Sequence, residues 1–353
     1  MDEYEAMNSN ETSNLAASGW EARLDDLART VRLAALRQLR GEKRPGEVRA
    51  PISKGMADVT FALDKATEDA LEIWVQGVAA QESLSVFSED RGWSHRGPDG
   101  AGGVLELPGF DHGGPRLVID PVDGTRNLMA DLRSAWTVIA LCGPGSGQPR
   151  MSDVQLGLIG ELPDSRAARF RILSASLGAG ARIEERDVES DEVCSSAELC
   201  VDDDQRVEHG YFSIFRYSPI QRPLLAQLEA GFFARLEEHE GADTHYCYDD
   251  QYISNGGQLA LLCLGTYRFI ADLRADFARF VTGDCTTSKP YDSAGAILVA
   301  REAGCVLRDA NGDQLDFPLD GKTPVSFVGY ANEASARRMG PHLAAARTQI
   351  IST

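Results

Sequence analysis

The sequence predicts a layered α/β fold. Amphipathic helical stretches alternate along it with short apolar runs that suit buried strands. The chain has 353 residues, enough for one large domain or two coupled lobes with real cores. No internal repeat points to a solenoid or a propeller. We divide the chain into an N-terminal tail over 1–18, an α+β lobe over 19–205 and a C-terminal α/β lobe over 206–353.

Residues 1–18 are polar and are expected to be loose. Trp20 to Arg40 reads as an amphipathic helix, with Leu24, Leu27, Val31, Ala35 and Leu39 on one face and Gly41 as its stop. A second helical pattern passes through Ala70, Ile73, Trp74 and Gly77, and Val86-Phe87-Ser88 follows as a strand. Gly92 to Pro115 is rich in Gly, Pro and His, which predicts a long loop beside the site rather than a pair of strands. Its His95 and His112 are read as satisfied or solvent-exposed histidines, not metal ligands. Leu117-Val118-Ile119 predicts a buried strand. The acidic stretch from Ile183 to Glu208, including Asp202-Asp203-Asp204, predicts a solvated loop or helix face at the lobe boundary. It lacks the alternating ligands, central glycine and closing Glu of a calcium loop. Tyr211 to Tyr217 reads as a strand, Leu224 to Glu240 as a helix and Tyr267 to Ile270 as a strand. Ser293 to Ala303 is a small-residue helical stretch that ends at Gly304.

Charge narrows the possible partners. With 35 basic and 54 acidic residues the formal charge is −19, which repels nucleic-acid backbones and anionic membranes. The same surface repels phosphate esters, so an anionic substrate would need a bound cation. The 7 Cys residues show no C-x-x-C spacing, which argues against a zinc site or a disulfide framework. Met1-Asp2-Glu3-Tyr4-Glu5 is acidic where a secretory signal is basic and then apolar, and the longest apolar runs are far short of a membrane span. The expectation is a soluble cytoplasmic protein.

The densest chemistry lies in Asp120-Pro121-Val122-Asp123-Gly124-Thr125. An apolar strand delivers two carboxylates to one corner, and neighbouring acids repel each other unless a positive charge intervenes. Carboxylate and free carbonyl oxygens suit Mg²⁺. Gly124 lets the backbone approach an anion closely, and Thr125 adds a hydroxyl. Asp-Pro and Asp-Gly are also ordinary turn formers, so a purely structural corner is the competing reading.

The DPVDGT run resembles the DPxDGT motif of the inositol monophosphatase family, the Mg²⁺-dependent, lithium-inhibited sugar phosphatases. Their superfamily also holds fructose-1,6-bisphosphatases and adenosine 3',5'-bisphosphate phosphatases. Asp58 to Asp64, the following helix and Val86-Phe87-Ser88-Glu89-Asp90 are similar to the family's T-x-x-D segment, helix and strand ending in an acidic pair. Tyr291-Asp292-Ser293-Ala294-Gly295 resembles its W-D-x-A-A-G segment, with Tyr291 for Trp and Cys305 for a later glycine. Val154 to Ile159 and Gly178-Ala179-Gly180-Ala181 resemble its central strands and G-x-G-A turn. Ser254-Asn255-Gly256-Gly257 resembles the helix start that walls the substrate pocket, with Gln258 in place of Ala.

This resemblance implies a layered αβαβα sandwich with the metal site between two lobes. It implies that Glu89, Asp120, the Val122 carbonyl, Asp123 and Asp292 hold two or three Mg²⁺ ions. Glu89, Asp64 and Thr125 are the implied catalytic groups, with Asp64 paired to the threonine. Gly124, Thr125, Asn255, Gly256 and Asp272 are the implied substrate contacts. Asp292 at a helix start also suits simple capping. Between Leu273 and Tyr291 the chain is longer than in a compact relative, and Arg274, Arg279 and Lys289 there are read either as pocket cations or as solvated charges. The implied activity is hydrolysis of a small sugar or cyclitol phosphate by direct attack of water, in a homodimer. The alternatives are a 3'(2'),5'-bisphosphate nucleotidase and a metal-binding regulatory protein without turnover.

Overall fold

A computed structural model describes residues 19–41, 51–54, 59–283 and 285–351, with 51–54 and 59–60 described by backbone alone. The expected tail at 1–18 lies outside the described residues. Helix α1 (Trp20–Gly41) buries Trp20, Leu24, Leu27, Val31 and Ala35 as the heptad-like spacing predicts, with Leu39 half-buried at the stripe's end. Strands β1 (Pro51–Lys54) and β2 (Val59–Phe61) pair antiparallel and lead into α2 (Ala62–Ala79). Its buried face is Leu63, Thr67, Leu71, Trp74 and Val75, whereas Ile73 is 74% exposed. The Trp74 indole donates to Asp26 Oδ2 at 3.0 Å and meets Trp20 edge-on, which joins α1 to α2.

The large sheet holds β3 (Leu84–Ser88), β4 (Gly92–Pro98), β5 (Val104–Glu106) and β6 (Arg116–Asp123). After the short α3 (Thr125–Met129) come β7 (Ala135–Cys142), β8 (Val154–Leu162), β9 (Arg169–Ser176), β10 (Gly180–Asp187) and β11 (Val193–Leu199). Their order is β11-β10-β9-β8-β7-β6-β3-β4-β5, with β3 and β6 parallel and the other neighbours antiparallel. β6 and β7 are buried along their whole length, as a strand covered on both faces must be.

Two stretches differ from the sequence reading. The segment 92–115 contains β4 and β5, because Asp99 Oδ1 accepts the N–H of Ala101 and Gly103 and folds the Gly-rich run into a hairpin turn. His95 and His112 are satisfied side chains that bracket the buried Ser85 hydroxyl at 2.8 and 2.7 Å. The acidic stretch 183–208 begins as β10 and β11, a hairpin at the sheet edge. Water reaches both faces of β11, so polar residues on either side suit a strand there.

The smaller sheet is built from β12 (Tyr211–Ile214), β13 (Tyr248–Asp249), β14 (Tyr267–Asp272), β15 (Val306–Arg308) and β16 (Phe327–Tyr330), in the order β13-β12-β14-β16-β15. Its helices are α4 (Arg222–Glu240), α5 (Asn255–Cys263), α6 (Arg274–Phe277), α7 (Pro290–Glu302) and α8 (Glu333–Ile351). α1 and α2 cover the outer face of the large sheet, α5 and α7 fill the space between the sheets, and α4 and α8 cover the small sheet. The layers therefore run α, β, α, β, α. Contact at the centre is close: a Cβ on Gly295 of α7 would lie 2.0 Å from the Ile139 carbonyl oxygen, so only glycine lets this helix settle on β7. No helix among the described residues is long and apolar enough to cross a membrane.

Candidate active site

A cavity of about 670 Å³ opens where β3, β6, α2 and α7 converge. β6 loses its regular ladder with β7 between Asp120 and Asp123, and this irregularity frees the corner. The corner is pinned from behind by the Thr137 hydroxyl, which donates to the Pro121 carbonyl at 2.9 Å, and by Val122 N–H, which donates to Asp120 Oδ1 at 3.0 Å. Gly124 then takes φ +97°, a left-handed turn that starts α3 with Thr125 as its first residue. The segment β3 ends one residue before Glu89, and Asp292 sits in the first turn of α7. Asp64, Glu89, Asp120, Asp123 and Asp292 all line the one cavity, together with Val122, Gly124 and Thr125.

The Thr125 hydroxyl is 2.8 Å from Asp64 Oδ1 and 2.9 Å from the Val122 carbonyl oxygen. Asp64 is fixed in turn, because its Oδ2 accepts the Phe61 N–H at 2.9 Å and closes the first turn of α2. Asp123 Oδ2 accepts from the Ser254 hydroxyl at 2.8 Å and from the Gly256 N–H at 2.5 Å. Asp292 Oδ2 accepts the Lys289 N–H at 2.8 Å, so the capping role is real while the acid also faces the cavity.

The electrostatics record a surplus of negative charge. Burial raises the Asp120 carboxyl well above the usual range, and repulsion from Asp123, Glu89 and Asp292 raises it further. Burial likewise lifts Asp123 to about 7 against the pull of Ser254, Gly256 and Arg274. Asp292 rises to about 8, first by burial and then by repulsion from Asp123. Such acids gain most from a nearby cation, and an all-oxygen donor set suits a hard divalent ion. As the side chains stand, no group of three or more His, Cys, Asp or Glu among the described residues is arranged to hold a metal ion. Charge and donor chemistry thus fit magnesium.

Not every implied substrate contact reaches the cavity. Asn255 lines it, but the Gly256 N–H is committed to Asp123. Asp272 is fully buried, with Oδ1 and Oδ2 taken by the Arg274 guanidinium at 2.8 and 2.6 Å and Oδ2 also bonded by Asn255 Nδ2 at 3.0 Å. The wall at that point is Arg274, stacked on Phe215 at 4.3 Å. Of the other cations in 273–291, Lys289 lines the cavity and Arg279 faces solvent beside Asp276. Sequence reasoning missed Glu68, which is 6% exposed on α2 and lines the cavity, with a carboxyl lifted by burial to about 7. Its spacing four residues after Asp64 places both on one helix face, and that was the available signal.

A family model described as "Inositol monophosphatase family" matches residues 27–352. Solved structures share the fold. One inositol monophosphatase–fructose 1,6-bisphosphatase superposes with TM-score 0.61 at 16% identity, covering 93% of this chain and 99% of that one. The second inositol monophosphatase of Staphylococcus aureus, solved with inositol monophosphate bound, gives TM-score 0.55 at 16% identity over 95% of this chain and 98% of that one. With 2'AMP bound it gives 0.53 at 17% identity over 96% and 100%. No curated protein matches the chain.

Proposed function

The chain belongs to the inositol monophosphatase family, and from that premise we propose that it hydrolyses a small sugar or cyclitol phosphate monoester with two or three magnesium ions at the cavity. The observation that carries this reading is the Thr125–Asp64 hydrogen bond set among four cavity-lining acids. Glu89, Asp120, the Val122 carbonyl, Asp123 and Asp292 would hold the ions. When bound, magnesium lowers the pKa of the attacking water and neutralises the leaving oxygen.

The chain's own groups do the rest. Thr125 Oγ1 accepts a hydrogen bond from the attacking water and so aims it at phosphorus. As the water loses its proton to Oγ1, the threonine proton moves to Asp64 Oδ1 across 2.8 Å. The Phe61 N–H on Asp64 Oδ2 keeps that carboxylate in place for the transfer. The N–H groups of Gly124 and Thr125 cradle the phosphoryl oxygens. Asn255 meets the remainder of the substrate from the cavity wall.

Lys289 on the wall favours, as a second reading, a nucleotide bisphosphate whose second phosphate it would meet. Bound 2'AMP in the Staphylococcus aureus relative is in keeping with that reading. The cyclitol or sugar reading is stronger, because Arg274 and Arg279 are already engaged by Asp272 and Asp276. Phosphate release from sugar, inositol and nucleotide esters with Mg²⁺ tests the proposal. Preference for a nucleoside bisphosphate selects the second reading. No release from any ester, or release that survives Asp123→Asn unaltered, ends both.

A further inference from the structure

Glu68 stands on the cavity wall with a half-used carboxylate. Its Oε2 accepts from the Ser88 hydroxyl at 3.1 Å and lies 3.4 Å from Arg91 Nε. Its Oε1 is buried and has no hydrogen-bond partner in the protein. A buried carboxylate oxygen left unpaired is costly, so such an atom on a residue of the cavity wall marks the place of a donor that the protein does not supply. The side chain is 8% exposed and is held by α2 on one side and the end of β3 on the other. Ser88 immediately precedes Glu89, so the group that fixes Glu68 is the chain neighbour of a proposed ligand.

We propose that Glu68 is a positioning residue for the cation cluster: its Oε1 accepts a hydrogen bond from a water in the hydration shell of magnesium. The inference rests on the proposed function of this site. Mg²⁺ keeps several of its waters when protein carboxylates bind it, and such waters need acceptors. A water in that shell has its lone pair turned to the ion and only its protons to offer. Ser88 and Arg91 orient Oε2 away from that task and leave Oε1 for it.

The geometry makes Glu68→Gln a discriminating variant. The Arg91 side demands an acceptor, so the amide oxygen of glutamine occupies the Oε2 position and its NH₂ takes the place of the unpartnered Oε1. Donor then meets donor at the water. Calorimetric titration of the substrate-free protein with MgCl₂ at 10 °C, well below unfolding, is expected to show affinity weakened about 10–100-fold in Glu68→Gln, the usual loss for an outer-shell partner. Glu68→Asp keeps the charge but withdraws the oxygen by one methylene, and is expected to weaken binding by a similar factor. Affinity within threefold of the parent in both variants overturns the proposal. So does a fall in metal-free melting temperature with unchanged affinity at 10 °C, which marks a merely structural carboxylate. A parent protein that binds no Mg²⁺ in the same titration instead overturns the proposed function itself.

Discussion

Asp123→Asn trades a buried negative charge for a neutral amide of the same shape. Asp123 is 9% exposed, and burial lifts its carboxyl from 3.8 to about 7. A carboxyl whose pKa is raised by folding binds its proton more tightly in the folded chain. It therefore subtracts nothing below pH 3.8, subtracts more as pH climbs from there, and subtracts its full amount above about 7. At about 1.36 kcal/mol per tenfold change in proton affinity, the rise from 3.8 to about 7 amounts to roughly 4 kcal/mol. That is an upper bound, because Asp120 and Asp292 share the same repulsion and titrate with it. At pH 5 only the interval from 3.8 counts, roughly 1.6 kcal/mol. Asparagine avoids this cost, and its carbonyl oxygen can still accept from Ser254 and Gly256. In EDTA at about pH 7.5 the variant is expected to be more stable than the parent by about 1–3 kcal/mol, with the gain shrinking to about a third at about pH 5. Saturating Mg²⁺ is expected to reverse the order, because the proposed site would bind the ion more tightly in the folded parent than in the variant. Urea denaturation at both pH values, with EDTA or Mg²⁺, reads all four quantities. A metal-free variant less stable than the parent at pH 7.5, or a gain equal at both pH values, refutes the electrostatic argument.

Thr125→Val removes the hydroxyl that faces Asp64 and is expected to lower kcat by roughly 10²–10⁴. Its Mg²⁺ affinity stays within a few-fold of the parent, and Thr125→Ser recovers most of the rate; steady-state phosphate release and metal titration check both points. In Gly256→Ala the new methyl would lie 2.5 Å from Val138 Cγ2 and 3.0 Å from Asp123 Oδ2. Urea unfolding should show a loss of about 1–3 kcal/mol, together with weaker Mg²⁺ binding as the Gly256 N–H is pushed off Asp123. Gly295→Ala meets backbone at 2.0 Å instead of a side chain that can yield, so its loss should exceed that of Gly256→Ala. Equal stability of the two variants would contradict that ranking.

Strands and helices with one-sided or continuous apolar patterns were legible in the sequence: α1, β6, β14 and α7 stand where periodicity and stop signals put them. β4, β5, β10 and β11 were not, because strands at the sheet's two edges and next to them are reached by water and lose the alternation that reveals a half-buried strand. The same physics divides the site. Asp120, Asp123, Gly124 and Thr125 are contiguous, so their chemistry can be read from neighbours alone, and the resemblance supplied Asp64, Glu89 and Asp292. Asp272 is a different case. The family resemblance implied a substrate contact, but the acid's nearest opportunity is Arg274 two residues away, and the pair satisfies itself in the interior. Glu68 lay hidden among 54 acidic residues, with its spacing from Asp64 as the one sequence signal, and its burial sets it apart in the structure.

The seat of α7 on β7 has a bearing on how the molecule assembles. Asp292 rides on this helix, whose Gly295 touches the backbone of the large sheet and whose other flank meets α5. A growing chain therefore makes Glu89 some 200 residues, and Asp120 and Asp123 some 170 residues, before the element that shields their strands from behind. Through that interval the inner surface of β6, β7 and β8 has at most α5 against it and lacks the helix that meets most of it. The helix that carries the cavity acid Asp292 is the same one that covers most of this surface, so docking of α7 is expected both to shield a nascent chain from aggregation and to bring that acid to the others.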